Sequence, residues 1–366
     1  MQWNSQQEPA LKAANTWFYR DSKKQQIFRV FGFAGTGKTT LARHFAENID
    51  GDVCYASFTG KAALVMRKNG CVGAKTIHSL IYKPVVNDQG QVSFKLNKKE
   101  SPVNDCALII IDECSMVDEE LAKDLLSFKK PILVLGDPAQ LPPVKGAGYF
   151  TECKPDIMLT EIHRQASDNP IIYLANEVRN GRMPDIGQYG GSRVVDKVSS
   201  EEVLSADQVI VGRNATRERL NSKMRKMKGI DSDLPIKGDK LICCRNDSTL
   251  GIFNGGMFTV EAILDKKFKT NFIHMSVNSD DFDSIPPLVK VHKSLFDYEI
   301  PKPDWKMLKG SQEFDFGYAI TCHRTQGSQW KNVLIYDESW CFRDDWNRWL
   351  YTAITRAEED IVLYKV

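Results

Sequence analysis

The sequence predicts an α/β protein of two blocks, each a parallel sheet with crossover helices, the second interrupted by a small β subdomain. Three observations carry that prediction. The runs VCYASFT (53–59), CALIIIDE (106–113) and ILVLGD (132–137) are short, apolar and closed by turn residues, and DEELAKDLLSF (118–128) has helical spacing. Strands alternating with helices give a parallel sheet. The alternation opens again at IMLTEIHRQ (157–165), continues through NPIIYLANEVRNG (169–181) and ADQVIVGRNATRERLNSKMRKM (206–227), and resumes at DFGYAITCHRTQG (315–327), NVLIYDE (332–338) and DIVLYKV (360–366). Between these parts, MFTVEAIL, NFIHMSV and LVKVHKS sit among charged turns, a texture that suits a small barrel. The expected domains are therefore 1–150, then 151–253 with 311–366, with the β-rich insertion at 254–310.

The first strand, in QQIFRVFGF, leads into FGFAGTGKTT and then the helical TTLARHFAENI. Gly32, Gly35, Gly37, Lys38 and Thr39 fit the spacing G-x-x-x-x-G-K-[ST]. In that arrangement backbone N–H groups of Gly35, Thr36, Gly37 and Thr40 curl around phosphate oxygens, the lysine neutralises the outer phosphates and Thr39 meets Mg²⁺. The expected cofactors are ATP and Mg²⁺. The apolar run LIIIDE ends in Asp112 and Glu113, placing two carboxylates at the carboxyl end of a buried strand beside that loop. Asp112 is expected to hold Mg²⁺ through water and Glu113 to orient or deprotonate an attacking water, which points to hydrolysis rather than to a small-molecule kinase.

Composition bounds the partners. The chain has 366 residues, 42% hydrophobic and 26% charged, with a net charge of +2, so any polyanion must be met by local basic surface. Nine cysteines without a C-x-x-C read as reduced core thiols rather than a disulfide framework or zinc site. No apolar run reaches the length of a membrane span and the first ten residues lack signal-peptide character, so a cytoplasmic protein is expected.

VLGDPAQLPPV (134–144), with TGKAA (59–63), TIHSL (76–80), LTEIHRQ (159–165), YAITCHRTQGSQ (318–329) and LYTAITRA (350–357), resembles the ordered motif series of superfamily 1 helicases, nearest the RecD and Dda group of subfamily 1B. The resemblance implies two RecA-like P-loop NTPase domains, with ATP between them and single-stranded DNA across both. It implies that Gln7, or its neighbour Gln6, reads adenine, that Gln140 senses the terminal phosphate, and that Arg164 and Arg356 reach the phosphates, with Gln326 and Gly327 on the same side. Thr59, Lys61, Thr76, His78, His323 and Arg324 match positions that face the DNA strand. This chain has Arg324-Thr325 where many relatives have Lys-Ser, a change that keeps charge and hydroxyl. The basic run RERLNSKMRKMK (217–228) reads either as phosphate-contacting or as a solvated face.

VVNDQGQVSFKL (85–96) has two β-prone arms around an Asn-Asp-Gln-Gly turn and reads as a hairpin, within 83–104, where Dda-type relatives carry a strand-separating pin. Phe94 on the returning arm either stacks on a base at the fork or anchors the hairpin. The expected fold thus adds a β-hairpin pin and a small SH3-like β-barrel to the two RecA-like domains. The expected function is an ATP-dependent, DNA-stimulated helicase moving 5'→3' on single strands and forks, probed against a DNA-independent P-loop switch or loading factor. A monomer, with replication, recombination or repair proteins as partners, completes the expectation.

Overall fold

Apolar β-branched runs fix the centre of the first sheet. Ile27–Gly32 (β1), Val53–Ser57 (β2), Lys75–Thr76 (β3), Leu108–Asp112 (β6), Ile132–Gly136 (β7) and Ile157–Leu159 (β8) pair in parallel in the order β3-β2-β6-β7-β1-β8. β6 and β7 are buried along their whole length, as strands covered on both faces must be. Each fully buried Ile there contributes about 1.5–3 kcal/mol. Helices Gln7–Thr16 (α1), Lys38–Ala46 (α2), Gly60–Lys68 (α3), Ile77–Ile81 (α4), Glu119–Leu126 (α5) and Pro170–Arg179 (α6) complete this unit. Tyr82–Val86 (β4) and Val92–Leu96 (β5) form the antiparallel hairpin, with Pro84 opposite Phe94. The computed structural model describes residues 3–86, 92–142, 148–161, 169–247, 249–264, 270–280, 286–300, 303–304 and 306–366. The hairpin's Asn-Asp-Gln-Gly turn lies outside them.

The chain divides into two units, residues 1–182 and 183–366. The boundary expected at 150 is therefore corrected: β8 pairs with β1 at Val30↔Ile157, and α6 stays with it through Arg179, whose guanidinium lies 3.6 Å from the Phe33 ring centroid. IMLTEIHRQ closes the first sheet instead of opening the second. An apolar run of three residues carries no mark of the sheet it will join.

In the second unit, Gly187–Tyr189 (β9), Ser192–Val195 (β10), Gln208–Val211 (β11), Ala319–Thr321 (β17), Trp330–Asp337 (β18) and Ala357–Lys365 (β19) form a sheet ordered β17-β11-β18-β19-β10-β9. All its pairs are parallel except β9 with β10. Its helices are Ser200–Ser205 (α7), Asn214–Met227 (α8) and Trp346–Ile354 (α9). The β-rich region is a five-stranded antiparallel sheet, β15-β14-β13-β12-β16, in which Met257–Ile263 (β13), Phe272–Ser279 (β14) and Leu288–His292 (β15) recruit Lys240–Cys243 (β12) and Phe314–Phe316 (β16). It extends past 254–310 at both ends. A three- or four-residue flank completes a sheet only through partners distant in sequence, which local pattern does not reveal.

The basic run 217–228 is solvated in part: Arg219, Lys223, Lys226 and Lys228 are exposed, but two arginines are not. Arg217 and Arg225 are 1% and 4% exposed and pair with Asp315 and Asp239, so they brace the helix against the antiparallel sheet. All nine cysteines are free and five are buried, but Cys153 is exposed rather than a core thiol. Among the described residues no helix is long and apolar enough to cross a membrane.

Candidate nucleotide and nucleic-acid sites

The turn after β1 is shaped by glycine. Gly35 and Gly37 have φ of 76° and 78°, a left-handed backbone that side chains disfavour, and Gly37 caps α2 with no side-chain bond, leaving the helix N-terminus to its own N–H groups. Thr36 is fully buried and donates to the Phe33 carbonyl at 2.8 Å. Lys38 Nζ donates to the carbonyls of Gly32 and Phe33 at 2.8 and 3.0 Å, which folds the ammonium back over the turn. Thr40 follows in the first turn of α2.

Thr39 Oγ1 donates to Asp112 Oδ2 at 2.6 Å, and Asp112 Oδ1 accepts the Glu113 N–H at 2.8 Å. A hydroxyl and a carboxylate brought together beside a phosphate-binding turn are hard oxygen donors, the set Mg²⁺ takes. Glu113 itself has φ 54° and ψ 48°. A left-handed glutamate costs on the order of 1 kcal/mol, a strain that concentrates at functional sites. Asp137 caps Ala139 N–H at 2.9 Å and its carbonyl accepts Gln140 N–H, so the turn after β7 holds Gln140 buried beside the same strand ends.

Gln7 is 1% exposed; its Nε2 donates to the Thr36 carbonyl at 3.1 Å and its Oε1 accepts Asn4 N–H. Its carboxamide thus braces the turn from behind. Gln6 instead bridges Thr160 and Glu161, accepting both N–H groups through Oε1.

Four first-unit candidates for the DNA face sit at the carboxyl ends of β2 and β3. Thr59 and Thr76 use their hydroxyls as N-caps of α3 and α4, and Lys61 is 6% exposed. His78 presents an exposed ring between Phe58 and Tyr82. Phe94 is 66% exposed. In the second unit His323 is half-buried, its ring 5.8 Å from that of Phe342, and burial lowers its pKa. Arg324 reaches Asp315 at 3.4 Å.

Arg356 is buried and donates to the carbonyls of Thr352 and Ser328 and to Thr355 Oγ1, all neutral acceptors. No carboxylate pairs with it among the described residues. Gln326 is buried, and Gly327 after it has φ 77°. Arg164 lies outside the described residues.

Sequence reasoning missed Glu338. It is 1% exposed and accepts from the N–H groups of Gly212 and Arg213, from Arg213 Nε and from Thr216 Oγ1, at 2.6 to 3.0 Å. Burial pushes its carboxyl up, yet these donors hold it below the usual range. The triplet Asp337-Glu338-Ser339 closes an apolar strand much as Asp112-Glu113 does, and that echo was the available signal.

A glycine-rich turn feeding a helix, with hydroxyl, carboxylate and strained glutamate at neighbouring strand ends, defines a P-loop nucleotide-binding protein. Residues 2–200 match the AAA domain family and residues 316–364 the UvrD-like helicase C-terminal domain. The chain belongs to the AAA domain family, and its similarities are those of the RecD/Dda-like group of superfamily 1 helicases.

It is 29% identical over 362 residues to the ATP-dependent RecD2 DNA helicase of Deinococcus radiodurans, covering 90% of this chain and 45% of that one. It is 34% identical over 180 residues to the ATP-dependent DNA helicase Dda of Enterobacteria phage T4, covering 44% of this chain and 39% of that one. The chain spans less than half the length of either relative. The fold matches Bacteroides Pif1 bound to single-stranded DNA with a TM-score of 0.60 at 20% identity, over 100% of this chain and 92% of that one.

Proposed function

We propose that the chain is an ATP-dependent helicase that moves 5'→3' on single-stranded DNA and opens forks. The observation that carries this reading is the meeting of the Thr39 hydroxyl and the Asp112 carboxylate at the P-loop, with Glu113 next along the same strand end, the residue set of a hydrolytic nucleotide site. Lys38 and the N–H groups of 35–40 hold the phosphates of ATP. Thr39 and Asp112 would hold Mg²⁺, which supplies positive charge to the phosphate oxygens. Glu113 orients the attacking water and accepts its proton. Gln140 reports the terminal phosphate, and a glutamine at 6 or 7 faces the adenine.

Arg164 and Arg356, with Gln326 and Gly327, serve as contacts to the phosphates. Support for Arg356 comes from its burial among neutral acceptors, since a guanidinium without a carboxylate favours an incoming anion. Thr59, Lys61, Thr76, His78, His323 and Arg324 are the DNA contacts, the five-stranded antiparallel sheet is an SH3-like barrel, and the β4–β5 hairpin is the pin. The exposure of Phe94 supports a fork-facing ring over an anchor. The protein acts as a monomer, in replication, recombination or repair.

The test is ATP turnover with and without oligo-dT, followed by strand displacement from forks bearing single 5' or 3' tails. Strong stimulation and a need for the 5' tail are expected. DNA-independent turnover overturns the motor, and a need for the 3' tail overturns the direction. Phe94→Ala should lose unwinding while keeping its thermal midpoint and stimulated turnover; a lowered midpoint makes it an anchor.

A further inference from the structure

The parallel strands of the second sheet end together. Val211 is opposite Thr321, and Ile210 is opposite Ile335, so the segments following β11, β17 and β18 share one rim. Open parallel sheets bind ligands at that rim. It carries His323 after β17, Arg213 after β11 and Trp340 after β18. Trp340 is 61% exposed, the guanidinium of Arg213 lies 5.2 Å from its ring centroid, and Arg213 is in turn held by the buried Glu338. The platform is backed by close packing. Gly212 approaches Glu338 and Phe342 so nearly that a Cβ would stand 2.8 Å from one and 3.1 Å from the other. Phe342 stacks on buried Trp349 at 5.6 Å and 19°, and its other neighbour is His323.

We infer that Trp340 is a stacking platform for one base of single-stranded DNA, continuing the contact surface that begins at His323. The inference rests on the DNA reading proposed above. A flat ring fixed on one side by a cation and open on the other has the chemistry that takes a nucleobase of any sequence. The next turn holds Arg343, Asp344 and Asp345, and Asp345 pairs with Arg348, so local charge nearly cancels. Affinity here depends on the ring, with Arg213 fixing its orientation.

The test compares wild type, Trp340→Ala and Trp340→Phe on fluorescent oligo-dT and on a sugar-phosphate oligomer of equal length without bases. Trp340→Ala is expected to raise Kd for oligo-dT roughly 10-fold or more, the loss that one stacked base produces. Trp340→Phe should retain most of the affinity. On the baseless oligomer all three should bind alike, and ATP turnover without DNA should be unchanged. Equal binding of oligo-dT by wild type and Trp340→Ala overturns the inference while leaving the DNA reading intact. A loss of the same size on both oligomers, with a lowered thermal midpoint, makes the ring structural and overturns it too. Failure of the wild type to bind either oligomer removes the DNA reading, and this inference with it.

Discussion

Each unit has one strand, turn and helix in the same relation, and the two treat an anion in opposite ways. In the first, β1 passes through a turn with two left-handed glycines into α2, whose N–H groups have no side-chain cap. In the second, β11 passes through Gly212 and Arg213 into α8, which also lacks a side-chain cap, but the N–H groups of Gly212 and Arg213 just before the helix both donate to Glu338. A helix N-terminus favours negative charge wherever it comes from. The first unit is built for an anion from outside; the second has satisfied the same demand with its own carboxylate. One local geometry therefore yields an open anion-accepting turn in one place and a structural clasp in the other.

The largest effects should come from the first turn. Lys38→Ala should abolish ATP turnover, while Glu113→Gln should keep nucleotide binding and lose hydrolysis. Turnover assays with a parallel nucleotide-binding titration check both, and a Glu113→Gln protein that hydrolyses normally would remove the water-handling role. Next in size is Arg356→Ala. If the second unit acts through this arginine, hydrolysis should fall by about 10³- to 10⁵-fold with DNA binding largely kept. Normal turnover would leave Arg356 as a brace of the Ser328 carbonyl.

Glu338→Gln tests the clasp itself. The substitution removes a charge that accepts four hydrogen bonds, and bonds to charged groups contribute about 1.5–3 kcal/mol each when lost singly. Stability of the whole chain should drop by at least that single-bond amount in denaturant titration, with nucleotide affinity unchanged. No loss of stability would break the comparison, because the second turn would then tolerate an unfilled helix N-terminus.

What could be read from sequence divides along the same line. The P-loop was legible because glycine spacing, lysine and threonine all lie within eight residues and the chemistry is local. Thr39, Asp112 and Glu113 followed from a strand end beside it. Glu338 was legible only as an acid closing an apolar strand; its role as a clasp was not, since its donors lie more than a hundred residues away and no short pattern marks a carboxylate as a cap for a distant helix. Arg217 and Arg225 were misleading for a similar reason: helical spacing gave them a polar face, and only the arrival of Asp315 and Asp239 from other elements buried them. The strands of the β-rich region were visible one by one, but β12 and β16 joined that sheet only in three dimensions. Thr59 and Thr76 carry motif letters, yet their hydroxyls cap helices, which relates those letters to local folding as well as to a ligand.

The smallest expected effect separates the clasp from its surroundings by pH. In the second unit His323 and His292 both have pKa values lowered from 6.5, chiefly by burial, with Lys293 adding to the effect at His292. His292 Nδ1 also takes the Ser294 N–H at 3.3 Å, a bond only the unprotonated nitrogen accepts. The unfolded chain holds more protons than the folded one between the lowered values and 6.5. Stability therefore rises with pH through that window, is fully present above it, and is lost as acid protonates the unfolded histidines first. Glu338 acts in the same sense but in a lower pH window. Its lowered pKa contributes stability above 4.5, which is lost only as pH falls through the folded value. Between pH 7.5 and 5.5 the histidines alone should act, shifting the thermal midpoint by on the order of a few degrees at most. Scans of wild type and a His292→Asn, His323→Asn variant across that range check this: the variant's midpoint should be flatter with pH, whatever its absolute value. An equally steep fall in both proteins would assign the acid sensitivity to other groups. A fall that begins only below 4.5 would leave the carboxylate clasp as the first acid-labile feature of the second unit.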